Sequence, residues 1–276
     1  MHDDTADARG PHTQLEHAES GAWAEIQREV TAAFRDRFNI RVHHVDGAVV
    51  LLAPCTNMLA MNRAWVPGSA PSLNEDTLDN VIALFRDAGA ERFVIHWPPE
   101  SLPVEAPHWL VTRGFRAAHP MTRLCRRSSA TVRSASEFTI VEIGVAESDL
   151  FGIVAALGNE LPEFMAPGFT STVGRSGWRH YFAMDNGIPV ATAASRADAD
   201  VAWFGFAGTL PSHRGRGAQS ALLARRIRDA AADGCAWVTC ETMADTAERP
   251  SRSFRNMMRL GFTVAYARKN FILALR

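Results

Sequence analysis

Cysteine, tyrosine and long apolar runs are all scarce in this chain, and each shortage excludes something. The four cysteines, Cys55, Cys125, Cys235 and Cys240, are scattered along 276 residues without a CxxC spacing. Neither a zinc site nor a dithiol redox motif is therefore indicated. Apolar neighbours suggest buried free thiols in a reducing cytoplasm. No run approaches the ~18 apolar residues of a membrane helix. The opening MHDDTADARGPH lacks the apolar core of a signal peptide, and residues 1–14 are expected to be a disordered lead-in. There is no excess of one charge either: 29 basic against 30 acidic residues give a net charge of −1, which argues against a dedicated nucleic-acid binder. What remains is ordinary globular material, 47% hydrophobic and 21% charged, enough for a core in each half.

A polar, Ser-rich stretch from Arg126 to Glu137 reads as a linker, with 128–137 as the linker between domains. On either side the same signals follow in the same order. Leu78 to Ala90 is an amphipathic helix with a Gly89 stop, Arg92 to Trp97 a buried strand, and Ala106 to Thr112 a short helix closed by Gly114-Phe115 before a last strand pair. In the second half the helix covers Ser220 to Gly234, the strand Cys235 to Glu241, and the short helix Pro250 to Leu260, closed by Gly261-Phe262. The paired glycines stand 145 and 147 residues apart. Unrelated αβ units also stop on Gly, but the shared order favours a duplication, with domains at 15–127 and 138–276.

Upstream in the second half the signals are antiparallel. Arg179 to Met184 leads into Asn186-Gly187, a hairpin turn, and Ile188 to Ser195 returns. Val201 to Leu210 is a third strand, and it feeds His213-Arg214-Gly215-Arg216-Gly217-Ala218-Gln219 before a helix. A Gly-rich strand-to-helix junction is an anion site: free N–H groups and the helix dipole favour negative charge, and glycine lets phosphate oxygens approach. No Gly-Lys-Ser/Thr follows, so this is not a Walker loop, and the glycine spacing does not fit a dinucleotide fingerprint.

The loop and its surroundings resemble the GNAT superfamily of N-acetyltransferases, whose Arg/Gln-x-x-Gly-x-Gly/Ala segment joins a central strand to a long helix. Arg214 and Gly217 match, while Gln219 stands where the family has Gly or Ala. The resemblance spans about Phe138 to Leu275, including the hairpins, Thr209-x-Pro211 and Gly261-Phe262. It implies an α+β fold of two tandem GNAT-like domains, each a mixed, mostly antiparallel twisted sheet flanked by helices. It also implies acetyl-CoA as co-substrate and no metal. On that resemblance, Arg214 and the amides of Gly215, Arg216, Gly217, Ala218, Gln219 and Ser220 would hold the pyrophosphate. Ala207, Gly208 and Thr209 would pair with the pantetheine like an added strand, and one amide there would hold the oxyanion. The bland alternative is a tight turn with solvent-facing arginines. Arg225, Arg226 and Arg228 read as the wet face of the helix.

The first half has no such loop. Val66 to Asp76 contains no Arg-x-x-Gly-x-Gly; Asn74 suits an N-cap, and Glu75 and Asp76 would repel a pyrophosphate. A degenerate copy without bound CoA is expected.

Acyl transfer to an amine needs a base, an oxyanion donor and help for the leaving thiolate. The family's Tyr before the Gly-Phe pair is Met257 here, and its pantetheine-contacting Asn is Pro250; Asn256, next to the Tyr place, is a candidate cofactor contact, against a plain solvent-facing helix residue. Glu241, at its strand end, is the candidate base, and Tyr266 the candidate thiolate partner; their alternatives are a surface carboxylate and an ordinary strand Tyr. Glu160 and Glu163 are candidates for holding a cationic amine, against solvated loop acids. The function expected is acetyl-CoA-dependent N-acetylation of a small-molecule or peptide amine in the cytoplasm, without nucleic-acid or membrane partners. The alternative is a non-catalytic acetyl-CoA-binding or sensor protein.

Overall fold

The structure, a computed structural model, describes residues 11–66, 74–99 and 102–275. The chain divides into two compact units, one built from Leu124–Ala265 and the other from Pro11–Arg123 with Tyr266–Arg276.

The first unit begins with α1 (His12–Glu29) and α2 (Ala32–Phe38). The helix takes in His12, Thr13 and Gln14, which were expected in the lead-in; residues 1–10 lie outside the described ones. Strands β1 (Arg41–Val45), β2 (Ala48–Leu52), β3 (Arg63–Trp65) and β4 (Arg92–Trp97) follow, with α3 (Glu75–Asp87) crossing from β3 to β4. That crossover makes β3 and β4 parallel, while β1, β2 and β3 pair antiparallel. Most of the degenerate loop, residues 67–73, lies outside the described residues. Beyond it, Asn74 caps α3 as expected, accepting from Thr77 N at 2.9 Å, and Arg113 pairs with Glu75 at 3.0 Å. The short helix α4 (Ala106–Thr112) and strands β5 (Arg116–Ala117) and β6 (Met121–Arg127) complete this half of the chain.

In the second unit β7 (Thr139–Ile143) leads to α5 (Ser148–Gly158) and the one-turn α6 (Pro167–Thr170). The antiparallel strands β8 (Trp178–Asp185), β9 (Ile188–Asp198) and β10 (Val201–Thr209) come next. Then α7 (Ala218–Ala232) crosses to β11 (Trp237–Met243), parallel to β10. The sheet order is β11-β10-β9-β8-β7. Helix α8 (Arg252–Arg259) and β12 (Thr263–Ala274) close the chain. The β3–α3–β4 and β10–α7–β11 crossovers correspond, and the four repeat glycines share one conformation: Gly89, Gly114, Gly234 and Gly261 have φ between 79° and 84°.

Both ends of the second unit differ from the sequence reading: it begins at Leu124, so it takes in residues 124–127 of the expected first domain and the expected linker 128–137. β12 leaves the second unit at Ala265, and its residues Lys269 to Ala274 pair antiparallel with β4, from Trp97 to Arg92. The expected second domain, 138–276, therefore gives up its last strand to the first unit's sheet. Tyr266 goes with it. The first unit also buries an ion cluster: Glu16 and Glu19 of α1 meet Arg123 and Arg268, all four at most 2% exposed. Burial alone would raise the Glu19 carboxyl, but the guanidinium groups of Arg123, Arg268 and Arg63 hold it far below the carboxylate range. The cysteine expectation is corrected at one position, since Cys55 is exposed while the other three are buried.

Candidate active site

The site grows from an irregularity in β10. Its antiparallel register with β9 shifts between Gly205 and Gly208, and Phe206 inside the shift has φ 51°. A left-handed aromatic residue costs roughly 1–3 kcal/mol and persists only where its surroundings fix it. Here Thr192 Oγ1 donates to Phe206 O at 3.0 Å, and the ring packs against Phe169 with centroids 5.0 Å apart. On its other side β10 pairs with β11 only from Val201 to Trp203, against Trp237 to Thr239. Beyond that point the two strands part, and the edge of β10 from Ala207 to Thr209 is open.

Beneath the bulge lies Arg226, 1% exposed. It donates to Leu222 O at 3.3 Å, to Ala194 O at 3.0 Å and to Gly205 O at 3.4 Å, with its guanidinium 4.5 Å from the Phe204 ring centroid. The shifted ladder frees these strand carbonyls and the arginine satisfies them. Burial lowers its pKa to about 10. The expectation of a wet arginine face is thus corrected at Arg226; Arg225 and Arg228 stay at the surface, Arg225 at 2.7 Å from Asp229 and Arg228 at 2.8 Å from Val132 O.

Past Thr209 a short turn leads to the glycine loop. Gly215 and Gly217 have φ 82° and 92°, and Gly217 is the N-cap of α7. Ala221 N, on Gly217 O at 3.0 Å, is the first amide to enter the helix ladder. Among the described residues nothing accepts from the N–H groups of residues 215–220. The loop arginines are committed to the protein itself. Arg214 pairs with Glu160 at 2.7 Å and donates to Thr209 O at 3.1 Å and Gly158 O at 3.2 Å. Arg216 pairs with Asp185 at 2.6 Å. Of the two acids named as candidates for holding an amine, Glu160 braces the loop through Arg214, and Glu163 is exposed on a single 3₁₀ turn.

Arg214 reaches Gly158 because α5 and β10 touch backbone to backbone. A Cβ on Gly158 would lie 2.8 Å from the Gly208 carbonyl carbon, and one on Gly208 would lie 2.5 Å from Asn159 Nδ2. Together these elements enclose a cavity of about 750 Å³. Ala207, Gly208, Thr209, Arg214, Gly215, Gly217, Ala218, Gln219, Ser220 and Asn256 all line it; of the cofactor residues expected, only Arg216 stands outside. Asn256 Nδ2 donates to Gln219 Oε1 at 2.7 Å, and Gln219 Nε2 to Ser253 Oγ at 2.7 Å. The departure at Gln219 is thereby absorbed, since its side chain turns to α8. Sequence reasoning missed Gly158, Arg226 and the α8 residues Arg252, Ser253, Arg255 and Arg259 on the cavity wall. For α8 a signal existed: Arg252, Asn256 and Arg259 are spaced to share one helix face.

The expected catalytic residues fare differently. Val238 and Cys240 of β11 pack with Leu223 and Ile227 of α7, so alternation puts Glu241 on the opposite sheet face, with Trp203 and Gly205 of β10. Glu241 stands past the last paired residue but does not line the cavity. Tyr266 is 9% exposed in the first unit and donates its hydroxyl to Glu16; burial first, and then the Glu16 charge, push its phenol pKa up. It is a core residue, and the thiolate role expected of it is withdrawn. Met257, at the family's Tyr place, is buried with its sulfur 3.3 Å from Cys240 Sγ.

The acetyltransferase (GNAT) family model matches residues 157–262, which contain the bulge, the loop, α7 and α8. A comparison with curated proteins found no match. Among solved structures, a GCN5-related N-acetyltransferase from Kribbella flavida is similar over 95% of each chain at 18% identity and a TM-score of 0.66. Another from Sphaerobacter thermophilus is similar over 96% of this chain and 94% of its own, at 17% identity and 0.58. A tandem GNAT protein from the clavulanic acid biosynthesis pathway covers 96% and 97%, at 14% identity and 0.58. These similarities reach across both units, so the fold is α+β with two GNAT-like units, each a mixed sheet flanked by helices. The chain carries, at residues 157–262, an acetyltransferase domain of the GNAT family, of the acyltransferase class.

Proposed function

We propose that this protein is an N-acetyltransferase that transfers acetyl from acetyl-CoA directly to an amine on a small molecule or peptide. The observation that carries the reading is the continuity of one cavity from the open β10 edge, Ala207 to Thr209, to the unpartnered amides of residues 215–220. Such a surface suits a ligand with a strand-like amide arm and a pyrophosphate at its end. Both loop arginines being internally paired, the backbone and the α7 dipole supply the anion recognition. An amide of β10 beside the bulge holds the oxyanion as the thioester carbonyl becomes tetrahedral. Glu241, on the sheet face opposite α7, takes the proton from the attacking amine. No acid stands at Met257, so the sulfur leaves as the thiolate and takes its proton from solvent afterwards. The degenerate first copy is proposed to be structural.

Thermal unfolding with and without millimolar acetyl-CoA, beside a Gly217→Glu variant, tests this. Ligand at ~100 times its Kd adds about 2.7 kcal/mol. A rise in Tm confined to the natural protein supports the reading; no rise in either removes it. The buried Met257 and the engaged Tyr266 favour a second reading, a protein that binds acetyl-CoA without turning it over. Release of CoA thiol across an amine panel separates the two.

A further inference from the structure

The cavity carries more positive charge than a pyrophosphate held by backbone amides needs, and that charge lies on α8 rather than on the loop. Arg252, Arg255 and Arg259 all line the wall, and all three are exposed. Arg255 is taken by Asp245 at 2.8 Å. Arg259 donates to a neutral acceptor, Asn256 Oδ1, at 2.9 Å. Among the described residues no carboxylate pairs with Arg252 or Arg259. The contrast with the loop is sharp: Arg214 has Glu160, and Arg216 has Asp185. Two guanidinium groups without a carboxylate partner thus stand on one helix face, seven residues and two turns apart, where their like charges repel.

We propose that Arg252 and Arg259 bind a phosphate monoester of the cofactor distinct from the pyrophosphate, the one on the ribose of CoA. They would make the protein select CoA and acetyl-CoA over the forms that lack this phosphate. The inference rests on the cofactor reading above. A phosphate monoester carries close to two negative charges at neutral pH and three acceptor oxygens, which suits forked guanidinium donors. The network Arg259–Asn256–Gln219–Ser253 ties α8 to the first turn of α7, so the helix that carries both arginines is held at a fixed place relative to the loop amides. A phosphate at the loop and a second one at α8 can then be recognised together.

Isothermal titration of the full chain with CoA and with dephospho-CoA reads the effect directly. The natural protein should bind CoA about tenfold or more tightly than dephospho-CoA, the ratio of a charged hydrogen bond or two. An Arg252→Gln/Arg259→Gln variant should lose that preference by weakening CoA alone, with dephospho-CoA affinity unchanged. Raising salt should narrow the preference in the natural protein and do nothing to it in the variant. Equal affinity of the natural protein for both nucleotides overturns the inference and leaves the cofactor reading intact; so does a variant that weakens both equally. Binding of neither nucleotide removes the cofactor reading and this inference with it. The natural-protein comparison needs no substitution, so poor folding of the variant cannot decide the matter.

Discussion

Arg226 shows how one buried side chain can set a site's geometry without touching the chemistry. Its donors satisfy carbonyls on α7, β9 and β10 at once, a span that one ammonium cannot reproduce. Arg226→Lys should therefore behave much as Arg226→Met does: urea unfolding should show a loss of about 1–3 kcal/mol, and the acetyl-CoA shift in Tm should shrink with it. Full retention of both by the lysine variant would refute the bracing role. His180 gives a second prediction. It is 1% exposed, 3.2 Å from Thr172 Oγ1 and stacked on Trp178, and burial lowers its pKa from 6.5 to about 4. Between those values the unfolded chain binds the proton and the folded one does not, so stability is full above 6.5 and falls with pH down to about 4. The loss reaches ~3 kcal/mol. His180→Gln should flatten that limb in denaturant titrations across the range; an unchanged slope would place the effect elsewhere. Neither residue was legible beforehand: an Arg beside Arg225 and Arg228 in an amphipathic helix reads as surface, and nothing local in the sequence announces that a bulge will form above it.

At the level of elements, the crossing of α5 over β10 is the constraint. Gly158 and Gly208 meet where a single Cβ would lie under 3 Å from backbone or amide atoms. Gly208→Ala or Gly158→Ala should push the two elements apart at a cost of roughly 1–3 kcal/mol, and should weaken acetyl-CoA binding more than Gly144→Ala, whose Cβ would meet only the Glu147 carboxylate at 3.8 Å. Differential scanning calorimetry with and without acetyl-CoA measures both effects. Individual elements were readable because their periods are plain: the strand at 92–97 and the helix at 106–112 fall where expected, and α7 and β11 within two residues. The glycine loop was readable because its chemistry is backbone chemistry, fixed by where glycines stand. What the loop arginines do was not, since their partners Glu160 and Asp185 come from distant segments.

For the whole molecule, the informative element is β12. Its first residues belong to one unit and its remainder to the other, and its pairing with β4 joins Lys269 to Trp97 and Ala274 to Arg92. Pairing partners so far apart leave no local mark, which is why the sequence reading kept this strand with its neighbours and offered Tyr266 to the wrong site. The buried cluster depends on it: Arg268 of β12 faces Glu16 and Glu19 of α1. Arg268→Met should leave those acids short of a counter-charge and destabilise the first unit by about 3–5 kcal/mol, with unfolding monitored by hydrogen exchange of α1 amides. Equal protection in both proteins would show that Arg123 alone suffices.

The same strand sets a timetable. As the chain emerges from the ribosome, β4 is out long before its partner, so the first unit's sheet has an open edge while the second unit is already long enough to fold. Birth order and folding order are then inverted, and a nascent chain stalled before residue 266 would hold a finished catalytic half tethered to an unfinished one.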